Sequence, residues 1–272
     1  MAETIASTQL YVWSQVLGRE GKRLEEHLDA VLGEVRAAGF PAFEGYLQFA
    51  DTPESTARHR ELLSKHGLKM PSVYTGGNLY DAEQAPATVE QIVRRAQHAR
   101  ALGVAGITMN PDVIRGGKTD LQLRTQADWL NRLGGELRKL GIGLWIHNHD
   151  PEMAMDGREV RSNMDRTDPE KVGFCADTHW IWRGGGDPYE YLERYGRRLG
   201  NLHLRNSRGK VWSEELGDGD LDHRRIAAIL KEQRFRGPLI VELAIEQGTP
   251  QTRPLVESQR ISRAYLREVL GV

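Results

Sequence analysis

The stretch GIGLWIHNHDPEM, Gly141–Met153, decides how the chain is read. Gly141 stops a long helical pattern over Asp120–Leu140, as glycine commonly does at a helix end. Ile142–His147 is then a short apolar run of strand length. It ends in a burst of side chains that bind metals or move protons: His147, His149, Asp150 and Glu152. The glycine stop and apolar strand recur toward the amino terminus, and the apolar strand with a polar end recurs toward the carboxyl terminus.

Toward the amino terminus the strands are Val104–Met109, Leu68–Tyr74, Ala42–Phe49 and Thr8–Val16. Helical patterns over Pro86–Leu102, Pro53–His66 and Arg23–Ala38 separate them, followed by Gly103, Gly67 and Gly39. The first carries Leu24, Leu28, Val31, Leu32 and Val35 on one face. Toward the carboxyl terminus the strands are Lys171–Ala176, Asn201–Arg205 and Leu239–Leu243. Their helices are Gly157–Met164 before, Pro188–Arg197 and Leu221–Gln233 between, and Thr252–Leu270 after. Strands separated by helices imply parallel crossovers. Eight such units in 272 residues predict an α/β fold, a (β/α)8 TIM barrel, as one domain over residues 1–272. The competitor is an open doubly wound sheet. After the first strand it would favour a G-x-G-x-x-G turn, and LGREGK at Leu17–Lys22 lacks that order.

Composition sets outer limits. Hydrophobic residues make up 39% and charged residues 28%, with a formal net charge of −1. That balance gives no footprint for nucleic acid, which draws a basic surplus or stripe. No run of about 20 apolar residues predicts a membrane span, and the opening MAETIASTQLYVW does not read as a signal peptide. The single cysteine, Cys175, excludes an intramolecular disulfide and suits a reducing cytoplasm. It reads as a small buried hydrophobe in VGFCAD.

In such barrels, function sits at the carboxyl ends of the strands. Four successive strands end in ligand-type residues: His147, His149 and Glu152; Asp177 and His179; His203 and Arg205; Glu242, with Glu246 beyond. Residues two apart in a strand share a face, so His147 and His149 point alike, as do His203 and Arg205. A lone histidine is more often a packed group than a ligand, and Asp177 suits a helix cap. Glu242 lies between Val241 and Leu243, where a carboxylate is costly unless paired or metal-bound. Arg205 is its natural ion-pair partner. Together the imidazoles and carboxylates suit one divalent ion, Mn²⁺, Mg²⁺, Co²⁺ or Zn²⁺.

These motifs resemble the xylose-isomerase-like superfamily of sugar isomerases and epimerases. HNHDPEM is similar to the HNH-x-x-E-F signature of one branch, and ADTHWIWRGGGDP to its strand-six segment. His203, Arg205 and Asn206 loosely match His-x-Lys-Asp; Gly217–Asp222 resembles the Gly-rich turn that follows, and VELA the strand-eight glutamate. The resemblance implies one metal held by a Glu, an Asp, a His and a second Glu. Asp177, His203 and Glu242 fit three slots; His147 fits the fourth by position and Glu152 by chemistry. It implies an isomerase or epimerase that moves a proton beside a carbonyl of a small-molecule sugar or polyol, through an enediolate, using Glu152, Glu242 or His149. Arg205, His179, Glu44 and Trp180 are expected on the substrate. An inosose dehydratase-type lyase and a keto-glycoside-cleaving enzyme use the same site. Endonuclease IV-like repair and a non-catalytic sugar-binding barrel are the weaker alternatives. Homo-oligomers are common in the family.

Overall fold

The alternation of short apolar runs with longer amphipathic ones folds as strand and helix layers in the computed structural model, which describes residues 4–272. The first strand is β1 (Ile5–Gln9), followed by α1 (Tyr11–Arg19) and α2 (Leu24–Ala37). Next come β2 (Ala42–Tyr46), α3 (Pro53–His66), β3 (Lys69–Gly77), α4 (Ala85–Ala99), β4 (Gly106–Pro111) and α5 (Asp120–Lys139). The second half holds β5 (Gly143–Ile146), α6 (Asp150–Arg166), β6 (Gly173–Asp177), α7 (Thr178–Arg183), α8 (Pro188–Tyr195) and β7 (Leu199–Leu204). A two-strand hairpin, β8 (Ser207–Arg208) with β9 (Val211–Trp212), precedes α9 (His223–Glu232), β10 (Pro238–Val241) and α10 (Leu255–Tyr265). Eight of these strands close into a barrel in the order β1-β10-β7-β6-β5-β4-β3-β2, every pair parallel. Among the described residues, no helix is long and apolar enough to cross a membrane.

Local chemistry sets the helix limits. Thr52 caps α3 by accepting from Ser55 N at 3.1 Å, with Pro53 in the first turn. Thr119 and Gln122 form a reciprocal capping box on α5. On α2, Leu24, Leu28, Val31, Leu32 and Val35 are all buried, the stripe that covers the barrel.

Several boundaries differ from the sequence reading: the strand read as Ala42–Phe49 ends at Tyr46, where a turn of 3-10 helix begins, and two further differences change an element's kind or start. The predicted strand Thr8–Val16 is strand only to Gln9, and α1 takes the rest. Its apolar residues Leu10, Val12, Trp13, Val16 and Leu17 fall three and four apart, a helical spacing that an apolar run disguises. The helix predicted over Gly157–Met164 extends back to Asp150 across a break. Ala154 is extended there, while Met155, Asp156 and Gly157 are left-handed with φ of 53°, 61° and 66°. Glycine alone adopts that conformation without cost.

One packing feature went unread in the sequence. Trp145 of β5 shares the inward face with His147, one layer nearer the amino ends of the strands. Gly106, Gly143, Gly173 and Gly200 surround its indole, from β4, β5, β6 and β7. A methyl group on Gly143 would lie 2.7 Å from Trp145 Nε1, and one on Gly173 2.9 Å from Cδ1. At Gly106 and Gly200 it would overlap several atoms of the indole. We expect Gly106→Ala to destabilise the protein by about 1–3 kcal/mol through overpacking. Denaturant unfolding should show a smaller cost for the same change made in a Trp145→Leu background. Equal costs in both backgrounds would rule out the steric account.

Candidate metal centre

The parallel register brings the ligand-type residues to one level. Asp177 and His203 are direct cross-strand partners, and His203 faces Ile240, two residues before Glu242. His147 follows the last residue of β5. One donor atom from each of His147, Asp177, His203 and Glu242 lies within 4.8 Å of all the others, and all four residues are buried. Cross-links pin the frame. Asn148 accepts from Asp177 N at 3.1 Å and donates to Asp177 O at 3.3 Å, tying the end of β5 to β6. Asp177 divides its labour. Its Oδ1 caps α7 by accepting from His179 N (3.0 Å) and Trp180 N (2.9 Å), while Oδ2 turns to the cluster.

The donor set fits a divalent ion. His147 Nε2 is buried without a hydrogen-bond partner, 3.6 Å from Asp177 Oδ2 and 4.0 Å from Glu242 Oε2. A bare imidazole nitrogen beside two carboxylates is chemistry that a cation satisfies. His203 presents Nδ1 to Glu242 Oε2 at 2.7 Å. Its Nε2 lies 2.9 Å from Glu44 Oε2, off the line of a good hydrogen bond.

Arg205 links the carboxylates: its Nη2 donates to both Asp177 Oδ2 and Glu242 Oε2. Burial opposes ionisation of Asp177 and Glu242, but Arg205 and the nearby histidines outweigh it and hold both carboxyls well below their usual range. Burial also disfavours an imidazolium at His203. The Cys175 thiol and the Glu44 and Glu242 carboxylates outweigh burial and raise its pKa well above the usual value. A metal ion would compete with that proton, so binding would release it. Burial and the neighbouring His147 push His149 down to about 3.

Above the donors lies a cavity of about 310 Å³ at the carboxyl end of the barrel. Tyr46, Tyr74, Trp180 and Trp212 give it aromatic walls; His149, Arg205 and Glu242 supply polar groups. The Arg205 guanidinium sits 4.6 Å from the Trp212 ring centre, a cation–π contact. At the rim, Arg183 pairs with Glu246 at 2.6 Å and stacks on Trp180 and Trp212. A larger hollow of about 570 Å³ lies between α9 and the carboxyl-terminal residues, away from these groups.

Of the residues expected on substrate, Arg205 and Trp180 line the cavity. Glu44 does not. It is buried inside the barrel below His203, accepting from Thr108 Oγ1 at 2.6 Å and Asn201 Nδ2 at 3.4 Å. His179 is also buried, with Nε2 2.8 Å from Ser207 Oγ. Glu152, expected as ligand or base, stands outside the donor group, with each oxygen engaged elsewhere. Oε1 accepts from Asn110 Nδ2 at 2.9 Å and Oε2 from His149 N at 2.8 Å, as part of a capping box at the start of α6. The sequence reading passed over Asn110, Thr108, Tyr46 and Tyr74. For Tyr46, two from Glu44 on β2, and for Thr108 and Asn110, two apart on β4, the inward spacing was the available signal. Asn206 serves the loop. Its Oδ1 accepts from Ser207 N and Leu221 N, each at 3.0 Å, and its Nδ2 donates to Gly217 O at 2.8 Å.

Comparison with known proteins agrees with this geometry. The chain is 27% identical over 246 residues to the inosose dehydratase of Geobacillus kaustophilus, covering 79% of each. The structure superposes on a sugar phosphate isomerase/epimerase of Parabacteroides distasonis with a TM-score of 0.77 at 23% identity, covering 98% of this chain and 94% of that one. It matches D-psicose 3-epimerase of Clostridium cellulolyticum with a TM-score of 0.79 at 13% identity, covering 98% and 99%. At those identities the two structures speak for the fold alone. Residues 32–268 match a family described as xylose isomerase-like TIM barrel, and with a closed eight-stranded parallel barrel around them the chain belongs to that family.

Proposed function

We propose that this chain is a divalent-metal-dependent lyase of the inosose dehydratase type, acting on a small polyhydroxylated ketone. A base removes the proton on the carbon beside the carbonyl, and the electron pair passes into an enediolate. That electron pair then expels the hydroxyl of the next carbon, which leaves as water after taking a proton. One water is lost and nothing is oxidised or reduced.

The observation that carries this reading is the histidine at position 147, with Glu152 held away from the donor group by Asn110 and the His149 amide. An epimerase that shuttles a proton between two ligand glutamates needs one on each face of the substrate. Here the carboxylates of the group are Asp177 and Glu242, and of the two Glu242 lines the cavity. Proton removal on one face followed by elimination suits that arrangement. The curated relatives named inosose dehydratase point the same way.

An ion held by His147, Asp177, His203 and Glu242 would act as a Lewis acid toward the substrate's carbonyl oxygen. His149, on the cavity wall beside His147, is the group we assign to proton transfer, with Glu242 as its partner. Trp180 and Trp212 offer ring faces to the apolar side of a polyol ring and exclude water from the enediolate. Arg205 holds Asp177 and Glu242 in place and ionised, and its planar head is within reach of a substrate oxygen.

Incubation of the Mn²⁺- or Co²⁺-loaded protein with an inosose in deuterated water tests the assignment. Loss of one water, read by mass spectrometry, is the expected result, with His149→Ala lowering kcat roughly 100- to 10,000-fold. An epimerised product that loses no water and is heavier only by the solvent deuterium it has taken up would instead establish the isomerase reading. No exchange and no mass change with inososes or ketoses would reject both.

Arg205→Met should destabilise the chelator-treated protein by about 3–5 kcal/mol, because two buried carboxylates lose their guanidinium. Added divalent ion should then raise the variant's Tm more than the wild type's. Equal stability of the two proteins in chelator would remove Arg205 from this role.

A further inference from the structure

The four donors differ in how they are supported, and the support of His147 is directional. Its Nδ1 lies 3.0 Å from Asn110 Oδ1, and Asn110 Nδ2 donates to Glu152 Oε1 at 2.9 Å. All three residues are buried. An ionised carboxylate only accepts hydrogen bonds, and so does the Pro111 carbonyl, to which the same Nδ2 donates at 3.2 Å. Glu152, the shorter and charged partner, and Pro111 together turn the Asn110 NH₂ toward them. The amide oxygen must then face His147. That oxygen in turn requires hydrogen on Nδ1 and leaves the lone pair on Nε2, the buried atom without a partner that faces Asp177 and Glu242.

We infer that Glu152 is a positioning residue that acts through Asn110 to make His147 a metal ligand, giving a two-imidazole, two-carboxylate set that selects Zn²⁺, Co²⁺ or Fe²⁺ over Mn²⁺ and Mg²⁺. The inference rests on the metal reading of the site and adds which ion it takes and which residues set that choice. Imidazole suits the later first-row metals, whereas carboxylate and water suit magnesium and manganese. A glutamate in the strand-five position would leave one nitrogen donor among three carboxylates; His147 makes it two of each. The environment on that side is soft as well: Cys175 Sγ lies within 4.8 Å of a nitrogen of both His147 and His203. Glu152 is not among the clustered donors, and each of its oxygens is engaged by a hydrogen bond outside that group.

Any site of this kind binds Zn²⁺ more tightly than Mn²⁺ to some degree, so the ratio in the wild type alone decides nothing. Its change on substitution does. Full-length, metal-stripped protein should be titrated with Zn²⁺, Co²⁺, Mn²⁺ and Mg²⁺ against a chelating indicator. His147→Glu is expected to shift the Zn²⁺/Mn²⁺ affinity ratio at least about tenfold toward Mn²⁺. Glu152→Ala should weaken Zn²⁺ binding roughly 10- to 100-fold, the usual cost of losing an outer-sphere partner. The double variant Asn110→Asp, Glu152→Ala should regain most of it. An aspartate at 110 accepts from His147 Nδ1 in either orientation and no longer needs Glu152. A merely structural role for Glu152 would not be rescued in this way. Unchanged Zn²⁺ affinity in Glu152→Ala, failure of the double variant to recover, or an unchanged ratio in His147→Glu would each overturn the inference while leaving a metal site standing. If the wild type bound none of the four ions, the metal reading itself would fall, and this inference with it.

Discussion

The guanidinium of Arg205, shared between Asp177 and Glu242, is the contact on which the rest of the site depends. A closed parallel barrel places the inward residues of neighbouring strands at one height, and here that height is filled with ionisable groups. Two carboxylates removed from water and set side by side would raise each other's pKa and force a proton onto one. Arg205 prevents this and keeps both ionised. The stacking of Arg205 on Trp212 holds it from the cavity side, so the cation sits between an acidic floor and an aromatic wall. Glu44 adds a further carboxylate below, against the far side of His203. The whole group is rich in negative charge for a buried cluster, and this is why a proton on His203 or a divalent ion is favoured there.

The sequence made the fold legible because its signal is repeated. Eight apolar runs, each with a helical pattern after it, leave few topologies, and glycine stops after the helices mark the units one by one. The donor group was legible for a related reason. Charged residues at the ends of apolar strands are costly to bury, so His147, Asp177, His203 and Glu242 stood out against their neighbours. What each of them touches was not legible, because a partner across a barrel has no fixed spacing in the chain. Glu44 has the chemistry of a pocket residue, but its position one layer deeper on β2 gives it to His203, Thr108 and Asn201. Glu152 has the chemistry of a ligand, but its place in the first turn of α6 directs its oxygens to a backbone amide and to Asn110. The Trp145 socket is the same case in steric form. Each glycine alone reads as a turn or a strand end, and only the barrel brings four of them around one indole.

Residue chemistry and position disagree at strand five, and the donor group includes the residue favoured by position, for a geometric reason. His147 directly follows the last residue of β5 and shares its inward face with Trp145, so its side chain enters the barrel axis whatever its type. Glu152 lies a full helical turn beyond, where the chain has already left the barrel wall. A barrel therefore keeps a ligand slot even as the ligand changes kind, and the change alters what the slot can do. A glutamate there is both donor and base. A histidine fixed at Nδ1 by Asn110 is a donor only, since its other nitrogen is the one that faces the cluster.

This separation of binding from proton transfer bears on the reaction. Epimerisation must return the proton to the face opposite the one it left, and so needs a proton carrier on each side of the substrate. Elimination needs one carrier to take the proton and a path for the departing hydroxyl. Under the proposed assignment His147 serves as a ligand without proton chemistry, and a titratable side chain on the cavity wall beside it is His149, two residues on and stacked edge-to-face with both His147 and Trp180. Together with Glu242 it places proton carriers where β5 and β10 end, while on the aromatic side formed by Trp180 and Trp212 the carboxylate of Glu246 is paired with Arg183. In the proposed reaction, an enediolate against such a wall would lose a neighbouring hydroxyl rather than be reprotonated on that face, which is what distinguishes the lyase from an isomerase in a barrel of this kind.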